Sequence, residues 1–109
     1  MARSAKVALT DIDLAREAAL NLSFTSFEND RIRRAATERA LLTISEAVRH
    51  LPADIIARNP ALQWDEMKGI GNRIRHEYWI VDAKIVWEVV QHDLDGLEAV
   101  ARAELGRLS

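Results

Sequence analysis

Cysteine is absent from this chain of 109 residues. Its absence excludes disulfide frameworks, thiolate metal sites and cysteine nucleophiles together, and it suits a reducing compartment. Proline occurs twice and glycine four times, too little punctuation for a turn-rich sheet protein. No apolar run approaches the roughly 18 residues that cross a bilayer. The opening MARSAKVALT carries Arg3 and Lys6 without a long apolar stretch behind them, so no secretory signal is expected and the expected address is the cytoplasm. An excess of positive charge is also missing: the formal net charge is −2 and the isoelectric point about 5.9. Any contact with a polyanion would therefore have to be local, through clustered arginines, rather than through the field of the whole molecule. There is no HExxH, no Walker loop and no dinucleotide fingerprint.

What is present is a folding composition. Hydrophobic residues make up 49%, ordinary for a globular chain and too many for a disordered one. A chain this short buries only about 60–70% of its unfolded surface, so self-association would help it. Helix formers dominate and strand-like alternation is rare, which predicts an all-α fold. Short connections predict antiparallel neighbours and an up-and-down helical bundle. No repeat, low-complexity stretch or linker interrupts the chain. Residues 1–9 are expected as a flexible N-terminal segment, and 10–109 as a single helical domain.

The first helix is expected to start at Thr10 as N-cap, with Asp11 and Asp13 in its first turn, and to run to about Asn21. An irregular piece from Ser23 to Phe27 would follow, anchored by its two phenylalanines. Asp30 opens a second helix to about Leu51, on which Leu41, Ile44, Val48 and Leu51 share one face. Pro52 ends it. A short helix, Ala53 to Arg58, leads to a turn at Asn59-Pro60. The next helix is predicted from Asp65 to Tyr78, then a break where Ile80 and Val81 precede Asp82. Asp82 would cap a last helix to about Leu105, buried along Val86, Val90, Leu94, Leu97 and Ala101. Gly96 inside it costs about 1 kcal/mol relative to alanine.

Chemistry concentrates in Gly71-Asn72-Arg73-Ile74-Arg75-His76-Glu77-Tyr78. An unperturbed imidazole titrates near pH 6.5, which suits general acid–base work. Asn72 and Arg73 lie four and three residues before His76 and share its helix face. Arg75 adjoins it. Arginine can hold phosphate oxygens with two parallel hydrogen bonds while histidine moves a proton. The bland reading of the same residues is an exposed basic helix face. Tyr78 lies about 200° around an ideal helix from His76, and its bland reading is a partly buried aromatic. Gly69 and Gly71 either allow close helix packing or leave room for a phosphate near backbone N–H groups. His50 and His92 read as surface histidines, and Arg31, Arg33 and Arg34 as a solvated helix face. Glu38 and Glu46 lie on the second helix without metal-site spacing, and Ser45 has no base partner in sequence.

The order of these pieces resembles the HepT-like family of the HEPN superfamily, from about Thr10 to Leu105. The pieces are Leu22-Ser23-Phe24 with Phe27 and Asp30; Glu38-Arg39 through Ile44-Ser45-Glu46-Ala47; Leu51-Pro52; Asn59-Pro60; Trp64 with Met67-Lys68-Gly69; Asn72 through Tyr78; and Val86-Trp87 with Asp93-Leu94 and Leu97. The resemblance implies a HEPN-like helical bundle that forms a homodimer, with the motifs of both subunits facing a shared cleft. It implies a metal-independent RNA endonuclease without cofactor, acting as the toxin of a toxin–antitoxin pair. The implied partner is a nucleotidyltransferase antitoxin of the MntA type, which silences the toxin by transferring AMP to a tyrosine. His76 then matches the motif histidine, Tyr78 the modified tyrosine, and Asn72 the polar residue that follows the motif arginine. The chain departs from the pattern at that arginine, because Gly71 stands five residues before His76.

Negative charge builds on phosphorus when the ribose 2′-hydroxyl attacks, and a positioned cation should offset it. Arg73 or Arg75 could supply that cation from different sides of the helix. Three readings stay open. One is an active ribonuclease toxin using His76, Asn72, Arg73 and Arg75. Another is a binding module that keeps the dimer and the nucleotidyltransferase contact without cutting RNA. The last is a structural helical dimer in which the cluster is incidental.

Overall fold

Ala5, Ala8, Ile12, Ala15 and Ala19 recur at steps of three and four and are all buried. They form the inner stripe of α1 (Ala2–Ala19) in the computed structural model, which describes residues 2–76 and 83–108, with side chains for 5–75 and 83–106. Small residues on the stripe let the neighbouring helices approach closely. The expected start at Thr10 is corrected: residues 2–9 are the first two turns of α1. Thr10 does not cap. Its hydroxyl donates to the Lys6 carbonyl one turn back at 3.0 Å, a bond that threonine makes inside helices. Beyond the helix end, Asn21 takes a positive φ of 63°, a conformation that asparagine tolerates better than most residues.

The piece expected to be irregular is largely α2 (Phe24–Asn29), capped by Ser23, whose oxygen accepts from the Ser26 amide at 3.1 Å. Asp30 caps α3 (Arg31–Arg49), accepting from the Arg33 amide at 3.0 Å. Then come α4 (Ala53–Arg58), with the limits expected, and the turn after it. That turn is tied by the Trp64 indole N–H, which donates to the Asn59 carbonyl at 2.8 Å. α5 spans Trp64–His76. The last stretch is one helical path in three parts: α6 (Ala83–Glu88), a wider π-type turn (Val89–Asp93) and α7 (Leu94–Leu108). The wide turn was not legible in the pattern, although the expected stripe of Val86, Val90, Leu94, Leu97 and Ala101 is buried throughout. Gly96 sits under Leu62, whose Cδ2 would lie 2.6 Å from a β-carbon there. The caps expected at Asp82 and the break after Tyr78 fall outside the described residues.

Three packings build an antiparallel bundle. Arg33 near the start of α3 reaches the Ala18 carbonyl near the end of α1, whereas Ala5 and Ala8 share a small apolar cavity with Ala47 and Val48. Arg16 late in α1 pairs with Asp95 and Glu98 early in α7, and Ala5 and Ala8 face Val100 and Ala101. α5 also packs along α3, with Arg49 at the end of α3 against Lys68 early in α5 and Glu46 further back against Arg75 near the end of α5. The described elements are thus helical throughout, as an up-and-down bundle requires. No described helix is long and apolar enough to cross a membrane.

One hydrophobic cluster joins these helices, and Phe27 is its largest fully buried side chain. Its ring lies 5.2 Å from the Trp87 ring, and Phe24 meets the same indole edge-on at 6.1 Å. Phe27→Ala should therefore cost about 3–5 kcal/mol, the range for emptying a buried aromatic site. Chemical denaturation would measure it as a lower midpoint with an unchanged slope.

Candidate functional site

Trp64, Met67, Ile70 and Ile74 turn one face of α5 into the core. Geometry then leaves Asn72, Arg73 and Arg75 exposed on the other sides. The two arginines are two residues apart, about 200° around the helix, and they leave it in opposite directions. Arg73 lines a shallow groove with Glu66, Gly69, Ile70 and Ile85. Arg75 turns toward α3 and pairs with Glu46. His76 is the last residue of α5. Its side chain and all of Tyr78 lie outside the described residues.

Gly71 is buried where α5 packs tightly against Ser45 of α3. A β-carbon there would stand 2.6 Å from the Ser45 β-carbon and closer still to its hydroxyl oxygen. Of the two readings of this glycine, tight helix packing is the one the structure supports. Ser45 is fully buried, and its hydroxyl donates to the Lys68 carbonyl at 3.1 Å. Arg49 donates to the same carbonyl, also at 3.1 Å. A buried bond of the Ser45 type contributes about 1 kcal/mol. The Arg75–Glu46 pair contributes less, about 0–1 kcal/mol, because its side chains remain 40% and 47% exposed. Arg49, Lys68 and Arg75 make this corner locally basic on an acidic protein. Arg49 escaped the sequence reading. Its signal was the spacing of four from Ser45, which puts both on the α3 face that meets α5.

The remaining candidates settle into structural roles. His50 ends α3 and is exposed. His92 pairs with Glu88 at 2.9 Å. The Lys84 ammonium, helped by His92, holds the Glu88 carboxyl below its ordinary range. Arg33 and Arg34 bond to backbone carbonyls of Ala18 and Glu28 around the α3 start. Burial raises the Glu38 carboxyl, against the pull of Arg34. Among the described residues no group of His, Asp and Glu is placed to hold a metal ion. In the wide turn, Asp93 is pushed up to about 6 by burial and then by the neighbouring Glu66 carboxylate.

The Ribonuclease HepT-like family matches residues 8–104. A protein of Thermococcus cleftensis, provisionally named ribonuclease HepT, is 32% identical over 102 residues, covering 90% of this chain and 93% of that protein. A protein of Caldanaerobacter subterraneus subsp. tengcongensis, provisionally named an RNase, is 30% identical over 90 residues, covering 83% of this chain and 80% of that protein. A third, from Methanocaldococcus jannaschii and also provisionally named an RNase, is 32% identical over 74 residues, 68% of each chain. No solved structure matches significantly. The chain belongs to the HepT-like ribonuclease family.

Two outcomes follow from this geometry. Gly71→Ala should lower stability by about 1–3 kcal/mol through overpacking, despite alanine's better helix propensity. Ser45→Gly should recover part of that loss and Ser45→Ala should not, a coupling that a double-mutant cycle of unfolding free energies reads directly. The second concerns Asp93, which binds its proton more tightly folded than unfolded. That preference adds stability at low pH, and the gain is lost as pH rises through about 6. Relative to Asp93→Asn, the wild type should therefore lose stability between about pH 4 and pH 7. After solvent screening of this partly exposed group, the difference is on the order of 1 kcal/mol.

Proposed function

We propose that the chain is a metal-independent endoribonuclease that acts as the toxin of a toxin–antitoxin pair. The supporting observation is the family match across residues 8–104 together with an exposed Asn72, Arg73 and Arg75 leading to His76 at the end of α5. In this reading the ribose 2′-oxygen bonds to phosphorus, and the bond to the departing 5′-oxygen breaks. His76 takes the proton from the attacking hydroxyl or delivers one to the leaving oxygen. The arginines and Asn72 hold the phosphate and offset its growing charge.

A homodimer brings a second copy of the cluster to the same cleft. The antitoxin is a nucleotidyltransferase. It silences the toxin when the Tyr78 oxygen attacks the α-phosphorus of ATP, which forms a tyrosyl–AMP phosphodiester and releases pyrophosphate.

One observation favours a second reading. Gly71, where the family arginine is expected, is packed against Ser45 with no space for a side chain. A bundle that keeps its dimer and nucleotidyltransferase contact without cutting RNA would fit that feature. One experiment separates the two. Protein purified away from any nucleotidyltransferase, assayed in chelator on mixed RNAs, is expected to cleave, and His76→Ala should lose about 10²–10⁴-fold in rate. Equal inertness of wild type and variant would favour the binding module.

A further inference from the structure

Gly71 and Arg75 are one turn apart on the same strip of α5. Side chains on a helix lean toward its N-terminus, so Arg75 naturally lies back over the turn that holds Gly71. Its Nη2 lies 3.6 Å from where a β-carbon at 71 would be, in ordinary van der Waals range. Glu46, reaching across from α3, holds the same nitrogen. Residue 71 itself cannot present a cation, because any side chain there must begin inside Ser45.

We infer that Arg75, folded back over Gly71 and oriented by Glu46, is the cation that meets the scissile phosphate. This rests on the nuclease reading above and names which arginine serves it. Glu46 engages only one edge of the guanidinium, which carries five N–H donors in a rigid fork. Among the described residues no other acceptor engages it, and 40% of the side chain is exposed to receive phosphate oxygens. Arg73 emerges on the opposite side, into the groove beside Glu66 and Ile85, where it suits an adjoining nucleotide better than the reacting one. Arg49 and Lys68 add positive charge on the Arg75 side. Glu46 is a positioning residue: it touches Arg75 and not the substrate.

The test uses the full chain and a mixed single-stranded RNA in chelator, with kcat and KM measured separately and a melting temperature for every variant. Arg75→Ala is expected to lower kcat by about 10²–10³-fold, the scale for losing one charge-stabilising donor, at a melting temperature close to wild type. Arg75→Met keeps much of the aliphatic stem and serves the same comparison if the alanine variant melts early. Arg73→Ala should raise KM more than it lowers kcat. Glu46→Gln, which retains an acceptor oxygen, should lower kcat less than Glu46→Ala does. Should the Arg75 variants turn over within roughly threefold of wild type while His76→Ala is inactive, the role given to Arg75 is overturned and the nuclease reading survives. A wild type as inert as His76→Ala overturns the nuclease reading instead. Binding of a 2′-O-methyl RNA then judges Arg75 alone. A salt slope smaller by about 0.7 in Arg75→Ala supports its phosphate contact, and an unchanged slope removes it.

Discussion

The distance between α3 and α5 is set where Gly71 meets Ser45, and most features of the basic corner depend on that distance. With no β-carbon at 71, the helices come close enough for Ser45 and Arg49 to donate to one carbonyl, that of Lys68. The same closeness lets Glu46 reach Arg75. A carbonyl inside a helix already accepts from the amide four residues on, so its second lone pair is what binds the neighbouring helix. A larger residue at 71 would push these groups out of reach together, since packed helices cannot yield at one contact alone.

Charge on this protein is arranged locally. The chain is slightly acidic overall, and many of its ion pairs tie helices or turns on the surface, such as Arg16 with Asp95 and Glu98. Glu98, shared by Arg16 and Arg102, has its carboxyl held below the ordinary range by those two guanidiniums. Such exposed pairs add little to stability but they neutralise the faces they occupy. What remains uneven is the α3–α5 corner, where Arg49 reaches the Lys68 carbonyl and Arg75 meets Glu46. A polyanion approaching this surface would be drawn to that corner by short-range attraction rather than by net charge.

Much of the helical layout was readable because helix signals are local. Asp30 before Arg31, Pro52 after Leu51 and the limits of α4 follow from capping and proline sterics within a few residues. Where local signals compete, reading failed. Thr10-Asp11-Asp13 has the composition of a helix start, but burial of Ala5 and Ala8 against α3 and α7 extends the helix back through it. Ser23 was a capping residue in plain view, yet α2 is only six residues long, too short for periodicity to register. The wide turn at Val89–Asp93 leaves no signal, because the buried residues across it, Val86, Val90 and Leu94, keep steps of four that an ordinary helix also gives.

The site divides along the same line. The sequence by itself determined that His76, Asn72, Arg73 and Arg75 share one short helical stretch and that no arginine stands five residues before the histidine. Residue order and the helical repeat are enough for that. Only the tertiary structure decided that Gly71 is a packing glycine, that Arg75 pairs with Glu46, and that Arg49 belongs to the same corner. Those facts depend on residues 19 to 29 positions apart in the chain. Contacts at that separation are set by how α3 and α5 pack, which no local pattern encodes.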